Sequence, residues 1–326
     1  LNNNPFNVSV VIPNYNGEYI ILKTIEQAIQ ALETSTLVNS YEIILSDDAS
    51  IDRSISLVEQ NFREVKIIHS KTNSGFSGNV NRGVNAANHE FVMILNSDLH
   101  LEKGYFDSIV PILEDRNVFG VMGSIRDPKS HDYQDGAKLP IVNLKMFISS
   151  NKNEFLDSAL IPTFFLSGAN ALIRREYFLQ LGGFCELFNP YYAEDVDLGI
   201  RAWRAGWELY FQPKSVCYHE VSATIKNVPE EKVSIIAKRN RYILHALHLP
   251  QFFLALFDLN LVFVTLFRTI KGDYIYWQAF KQYIILKKSI RIARIEFINQ
   301  NKSQKTLSLF EVIEKIKSMK RHPFLS

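Results

Sequence analysis

The most constraining feature of this chain lies in its first 125 residues, where short β-branched runs alternate with stretches of helical periodicity. Residues 8–12, 42–45, 65–68, 91–95 and 119–122 read as strands. Between them, 19–32, a stretch starting near Asp52, 78–87 and 105–113 read as helices. In 19–32, Ile21, Leu22, Ile25, Ala28, Ile29 and Leu32 recur at helical spacing. Strands separated by helices at this interval predict βαβ units and an α/β fold with a largely parallel sheet. Such a sheet binds ligands at the carboxyl ends of its strands. Residues 125–160 read as irregular and polar, and 163–219 as a second structured block. Beyond Val228 the pattern is helical and basic.

The net charge of +2 conceals an asymmetry. Of the 36 basic residues, 13 fall from Arg268 onward, against 4 acidic ones, leaving 23 basic and 30 acidic residues before them. A basic tail on an acidic body suits an anionic surface such as membrane lipid, or a set of solvated helix faces. The two cysteines, Cys185 and Cys217, have neither metal-ligand nor redox spacing, which fits a reducing cytosol. The polar, Asn-rich opening lacks the charged-then-apolar order of a secretion signal.

Polar clusters fall at the predicted strand ends. Pro13-Asn14-Tyr15-Asn16 follows the first strand, and Ser46-Asp47-Asp48-Ala49-Ser50 the second. A carboxylate there can accept from a nucleobase N–H with Tyr15 beside the ring, while the same residue types equally serve as turns and helix caps. Asn73-Ser74-Gly75 opens a glycine-containing helix start whose N-terminus favours anions. Its spacing is neither a Walker loop nor a dinucleotide fingerprint. Leu95-Asn96-Ser97-Asp98 ends the fourth strand with a carboxylate suited to a hard divalent cation, and the imidazole of the distant His219 could join it. Glu194-Asp195-Val196-Asp197 is the densest acidic cluster. It lies where a helix dipole would favour acids and where a general base could stand.

Taken in order, these segments resemble the family 2 glycosyltransferases, in particular the bacterial rhamnosyltransferase-like branch that builds surface polysaccharides. The resemblance spans roughly residues 8–220. It rests on Pro13-x-Tyr15-Asn16, Asp47-Asp48-Ala49-Ser50-x-Asp52, Asn73-x-Gly75-Phe76 with Asn81-x-Gly83, and Leu95-Asn96-x-Asp98. It continues with Ser167-Gly168-Ala169, Gly182-Gly183-Phe184-x-Glu186, Glu194-Asp195-x-Asp197-Leu198 and His219. The resemblance implies a Rossmann-like GT-A domain over 1–225, with a helical, membrane-associating or dimerising region over 226–326. It implies a UDP- or dTDP-sugar donor, with Asp47 on the base and Pro13, Tyr15, Asn73, Gly75, Asn81 and Ser97 lining the nucleotide site. It further implies Mn2+ or Mg2+ on Asp98 and His219, Asp195 as catalytic base beside Glu194, and Gly168 and Trp203 bordering donor or acceptor sugar. Two positions depart from the family pattern. Asn96 replaces the first acid of its Asp-x-Asp motif, and Cys185 replaces the Asp of its Gly-Phe-Asp-Glu.

The mechanism so implied is a single inverting displacement onto a glycan or lipid-linked acceptor. Residues 243–270 are strongly apolar but contain Pro250, Asp258 and Asn260, which disfavours a clean membrane span. An interfacial or re-entrant segment at the cytoplasmic face, a dimer contact or a hairpin packed on the catalytic body are the expected alternatives. Nucleic acid is not an expected partner. The competing functional readings are a sugar-phosphate nucleotidyltransferase and a non-catalytic glycan- or nucleotide-binding relative.

Overall fold

The computed structural model describes residues 6–143, 146–154, 160–219, 228–300 and 306–321. The expected boundary at 225/226 lies outside the described residues. The first half of the chain forms β1 (Phe6–Asn14), α1 (Ile21–Glu33), β2 (Val38–Asp47), α2 (Ser54–Asn61), β3 (Lys66–His69), α3 (Gly75–Asn85) and β4 (Phe91–Leu95). β5 (Leu99–Leu101), α4 (Tyr105–Ile109) and β6 (Val118–Arg126) follow. β1 to β4 are parallel neighbours in the order β3-β2-β1-β4. The register sets Asn14 of β1 beside Asp47 of β2, so both strands end at one level.

Past β4 the sheet continues through β11 (Asn170–Arg174), which runs antiparallel to both β4 and β6. Beyond β6 lies β12 (Glu208–His219), parallel to it, with β10 (Ile161–Pro162) at the edge. β5 pairs with the end of β12, setting Leu99 opposite His219. That pairing carries the end of β12 back to the residues that follow β4.

Side-chain alternation divides the core into two faces. Val8, Val10 and Ile12 of β1 pack with Met93 and Leu95 of β4 under α1, where Ile21, Ile25, Ala28 and Leu32 form a buried stripe. Val11, Val92 and Ile94 point the other way, toward Val80 and Val84 of α3 and toward α6 (Glu194–Arg204). Central strands covered on both faces read as continuous apolar runs, which is why β1 and β4 are legible in sequence.

Where an irregular stretch was expected, β6 runs on to Arg126 and is followed by β7 (Tyr133–Asp135), β8 (Ala137–Asn143) and β9 (Met146–Glu154). β8 and β9 form an antiparallel pair apart from the main sheet. Such a ribbon pairs its facing backbone groups and needs no fully apolar face, so polar composition conceals it.

After the short α5 (Arg175–Gln180) and the α6–β12 pair come α7 (Glu230–His248), α8 (Gln251–Ile270), α9 (Tyr274–Gln300) and α10 (Leu309–Arg321). Residues of all four helices belong to the same buried cluster as the α3–α6 face of the sheet. The helical region is thus packed onto the α/β body through one continuous core.

Candidate active site

A cleft of about 510 Å³ opens at the carboxyl ends of β1, β2 and β4. Its lining includes Pro13, Tyr15, Asp48, Asn73 and Gly75 from the ends of β1 and β2 and the start of α3, Asn96, Ser97 and Asp98 after β4, and Gly168, Glu194, Asp195 and His219 from the second half of the chain.

Asp48 and Asp47 are both buried but do different things. Asp47 Oδ1 accepts from Asn14 Nδ2 at 2.8 Å and from Ser50 Oγ at 2.5 Å. Its Oδ2 accepts from Ser50 N at 3.0 Å and lies 2.9 Å from His69 Nδ1. Asp47 therefore ties the ends of β1, β2 and β3 together. Asp48 accepts from the backbone N–H groups of Ser74 and Gly75 at the start of α3, and pairs with Arg82 Nη2 at 2.9 Å. The positive end of this helix therefore already faces a carboxylate supplied by the chain itself.

Asp98 Oδ2 lies 3.2 Å from His219 Nε2, and His219 Nδ1 lies 3.0 Å from Gln134 Oε1. The hydrogen bond to Asp98 raises the His219 pKa above its ordinary value, against the opposing effect of burial. Among the described residues no group of three or more carboxylates, imidazoles or thiolates is placed to hold a metal ion. Asn96 Oδ1, however, is buried in the same cleft with no hydrogen-bond partner among the described residues. A carboxylate, an imidazole and an unsatisfied amide oxygen fit a divalent cation of the Mn2+ or Mg2+ class.

Glu194 and Asp195 open α6. Both carboxyls are pushed above the usual carboxylate range, first by burial. For Glu194 the neighbouring Asp195 adds to the effect. For Asp195 the backbone N–H of Val196, the Lys138 ammonium and the backbone N–H of Gly168 pull back. Glu194 Oε2 has no hydrogen-bond partner among the described residues. Just before them, Tyr192 (φ 78°) and Ala193 (φ 74°) are both left-handed, a conformation costing roughly 1–2 kcal/mol per non-glycine residue. The third acid, Asp197, turns inward. Burial would raise its pKa, but Arg201 and His248 outweigh burial and hold it below the ordinary range. Its contacts are Arg201 Nη2 at 2.6 Å and His248 Nε2 at 2.8 Å.

Residues 9–182, more than half of the chain, match the family described as Glycosyl transferase family 2. The chain belongs to that family. The transferase is similar to the N-acetylglucosaminyl-diphospho-decaprenol L-rhamnosyltransferase of Mycobacterium tuberculosis, at 26% identity over 208 residues, 56% of this chain and 67% of that one. It is also similar to the probable glycosyltransferase YdaM of Bacillus subtilis, at 25% identity over 275 residues, 80% of this chain and 62% of that relative. Among solved structures, GalNAc-T7 with UDP, GalNAc and Mn2+ matches at a TM-score of 0.65 and 14% identity. That match covers 98% of the transferase and 58% of the GalNAc-T7 chain. The mannosyltransferase PcManGT from Pyrobaculum calidifontis, in complex with GDP-Man and Mn2+, matches at 0.53 and 19% identity, over 75% of this chain and 64% of that one. The transferase thus spans less than two thirds of both solved chains and of YdaM. At these identities the structural likeness is one of fold, the GT-A fold.

Of the residues singled out in the sequence, the transferase gathers Pro13, Tyr15, Asn73, Gly75, Ser97, Asp98, Gly168, Glu194, Asp195 and His219 around one cleft. Three others lie elsewhere. Asp47 is buried beneath the strand ends, and the cleft carboxylate is its neighbour Asp48. Asn81 spends its amide on Phe184, donating to its carbonyl at 2.9 Å and accepting from its N–H at 2.8 Å, so it clamps a turn. Trp203 is fully buried, its indole N–H donating to the Thr163 carbonyl at 3.0 Å, because its position on α6 faces the sheet. Sequence reasoning passed over Asp48 as the cleft carboxylate and Asn96 as an unsatisfied oxygen in the cleft. It also passed over Asn189 and Asn240, which hold the 188–192 loop. Gly75 shows how tight this loop is: a Cβ there would stand 2.7 Å from Asn189 Oδ1.

Proposed function

We propose that this transferase moves a sugar from a UDP- or dTDP-sugar to a hydroxyl of a lipid-linked cell-surface glycan, with inversion at the anomeric carbon. The observation that carries this reading is the convergence of Asp195 and the Asp98–His219 pair on one cleft. The lipid-linked acceptor is supported by the similarity to a rhamnosyltransferase whose name specifies a diphospho-decaprenol substrate. The nucleotide-sugar donor is supported by the GT-A fold shared with structures solved with UDP or GDP-Man. Such an acceptor fits a protein working at the cytoplasmic face of a membrane.

In this reading Tyr15 and Pro13 flank the nucleobase together with Asp48 and Asn73, and Gly75 and Ser97 border the nucleotide. Gly168 has no side chain, and its backbone borders the sugar while its N–H helps to position Asp195. Asp195 takes the proton from the acceptor hydroxyl as that oxygen attacks the anomeric carbon. Burial and the neighbouring Asp195 raise the Glu194 pKa, while Lys138 and the Val196 and Gly168 N–H groups pull that of Asp195 back, which favours Asp195 as the ionised partner of the pair. A divalent cation on Asp98, His219 and Asn96 would supply Lewis-acid stabilisation of the leaving diphosphate.

The test is a panel of UDP-, dTDP- and GDP-sugars with Mn2+ or Mg2+ and a lipid-linked acceptor, read as released nucleoside diphosphate. One donor should turn over. Asp195→Asn should lower kcat by ~10²–10⁴-fold with the fold retained, and Asp98→Ala should abolish the metal dependence. Silence from every donor, or diphosphate release from a nucleoside triphosphate plus a sugar phosphate, would overturn the reading.

A further inference from the structure

The face of the helical region that points away from the catalytic body is apolar over most of its length. α8 is, among the described residues, the one helix long and apolar enough to cross a membrane, yet only 17% of its apolar window is buried. Its exposed side carries Phe252 (70% exposed), Leu256, Leu259, Phe263 (64%), Leu266 and Ile270 (86%). Their spacings of four, three, four, three and four residues make one stripe along the helix.

The other side of α8 is fastened down. Phe257, Leu261 and Thr265 are buried, and the His245 ring of α7 stacks on Phe257 with centroids 4.6 Å apart. Asp258, a charge in the middle of the apolar run, accepts from Tyr283 Oη and Lys287 Nζ of α9, each at 3.0 Å. A helix crossing the bilayer would have to leave α7 or carry this charged cluster into hydrocarbon. A helix lying in the interface keeps every one of these contacts and wets only its outward stripe.

α9, packed beside α8, exposes Ile284, Ile285, Ile292 and Ile295 interleaved with Lys281, Lys288 and Arg291. Residues 251–300 contain seven Lys and Arg against three Asp and Glu. This charge pattern selects the occupant. A second copy seated on the same face would offer these cations only more cations, whereas an anionic leaflet complements them.

We propose that α8 and α9 form an in-plane docking surface for an anionic bilayer, α8 inserting its apolar stripe and the α9 cations meeting lipid headgroups. The proposal deepens the membrane setting given above and rests on that reading, but its test requires no turnover. Failure of docking and failure of the transferase reading are therefore separate results.

The experiment is sedimentation of the full chain with vesicles of neutral phosphatidylcholine, and of phosphatidylcholine mixed with phosphatidylglycerol. Emission of Trp277, 42% exposed on α9, supplies a second readout. The wild type should prefer anionic vesicles, with a blue-shifted emission, and should be released at alkaline pH as an interfacial protein is. Phe263→Ser with Phe267→Ser should abolish binding while circular dichroism stays unchanged, since both side chains are exposed. Lys281→Gln, Lys288→Gln and Arg291→Gln together should weaken anionic-vesicle binding by about 100-fold, from roughly fivefold per basic residue near the surface. Absence of vesicle binding overturns the proposal, as does a concentration-dependent dimer that Phe263→Ser dissociates. Equal binding by the triple variant overturns the anionic partner, and resistance to alkaline extraction overturns the in-plane geometry.

Discussion

Asp195 and Glu194 are adjacent carboxyls at a helix start, and their environment makes a prediction about acidity. Burial raises both above the ordinary range, near 3.9 for Asp and 4.3 for Glu. The proposed base works only when ionised, so activity is lost as pH falls through its raised pKa. The acid limb of kcat/KM should therefore lie above the ordinary carboxylate range, and its midpoint belongs to the pair. The Lys138 ammonium draws Asp195 back down, and Lys138 also pairs with Asp135. Lys138→Met should move the acid limb to higher pH, measured as kcat/KM against pH with the preferred donor. An unmoved limb accompanied by a raised KM would instead assign Lys138 to substrate binding. The acidic cluster was legible in sequence as a candidate site, but its division of labour was not. Asp195 faces the cleft and Asp197 faces Arg201 and His248, and His248 lies 51 residues away in a segment no local pattern connects to it. The Asp47–Asp48 pair fails for a related reason. Asp47 is the last residue of β2, paired with Asn14, and Asp48 is the first free to turn toward α3.

At the scale of elements, the loop from Phe188 to Ala193 decides where the proposed base stands, and α7 holds that loop. Asn240 Nδ2 lies 2.5 Å from the Phe188 carbonyl, 2.8 Å from that of Tyr191 and 2.9 Å from that of Tyr192. Arg239 Nη2 adds a bond to the Asn189 carbonyl at 2.5 Å, and the Phe76 N–H donates to the Pro190 carbonyl at 3.0 Å. These contacts fix the left-handed Tyr192 and Ala193 that aim Glu194 and Asp195 at the cleft. Asn240→Ala should lower kcat by roughly 10- to 100-fold through misplacement of Asp195. Donor KM should change less than kcat, because Pro13, Tyr15 and Asp48 of the proposed nucleotide site lie at the ends of β1 and β2, although its Gly75 meets the loop at Asn189. Steady-state kinetics separate the two, and a loss confined to KM would place the loop in donor binding. Elements whose periodicity is local are the ones that sequence locates well. α1 falls within two residues of the 19–32 expectation because its buried stripe is continuous. α3 starts three residues earlier than expected, at a Gly75 whose positive φ and contact with Asn189 are set by a distant loop.

For the molecule as a whole, the α/β body and the helical region share one core, and that core extends to the last described helix. Leu309, Val312, Ile313 and Ile316 are buried in the same cluster as Phe164, Leu198 and Trp203. Polar bonds reinforce the seam: Leu307 N donates to the Arg204 carbonyl at 3.0 Å, Arg204 Nε returns a bond to the Leu307 carbonyl at 3.1 Å, and Lys315 pairs with Glu208 at 2.9 Å. Burying each such aliphatic side chain contributes about 1.5–3 kcal/mol. Four of them together are comparable to the net stability of a typical domain, roughly 5–15 kcal/mol. A chain ending at residue 305 should therefore lose far more than a tail. It exposes the outer face of α6, the helix that carries Asp195 at one end and Trp203 near the other. The expected result is loss of a cooperative thermal transition by circular dichroism and a sharp fall in soluble yield. A cooperative, soluble product that still releases nucleoside diphosphate would show that α10 merely covers a body stable without it. Loss of folding would mean that the surface proposed to meet the membrane and the helix carrying the proposed base are parts of one cooperative unit.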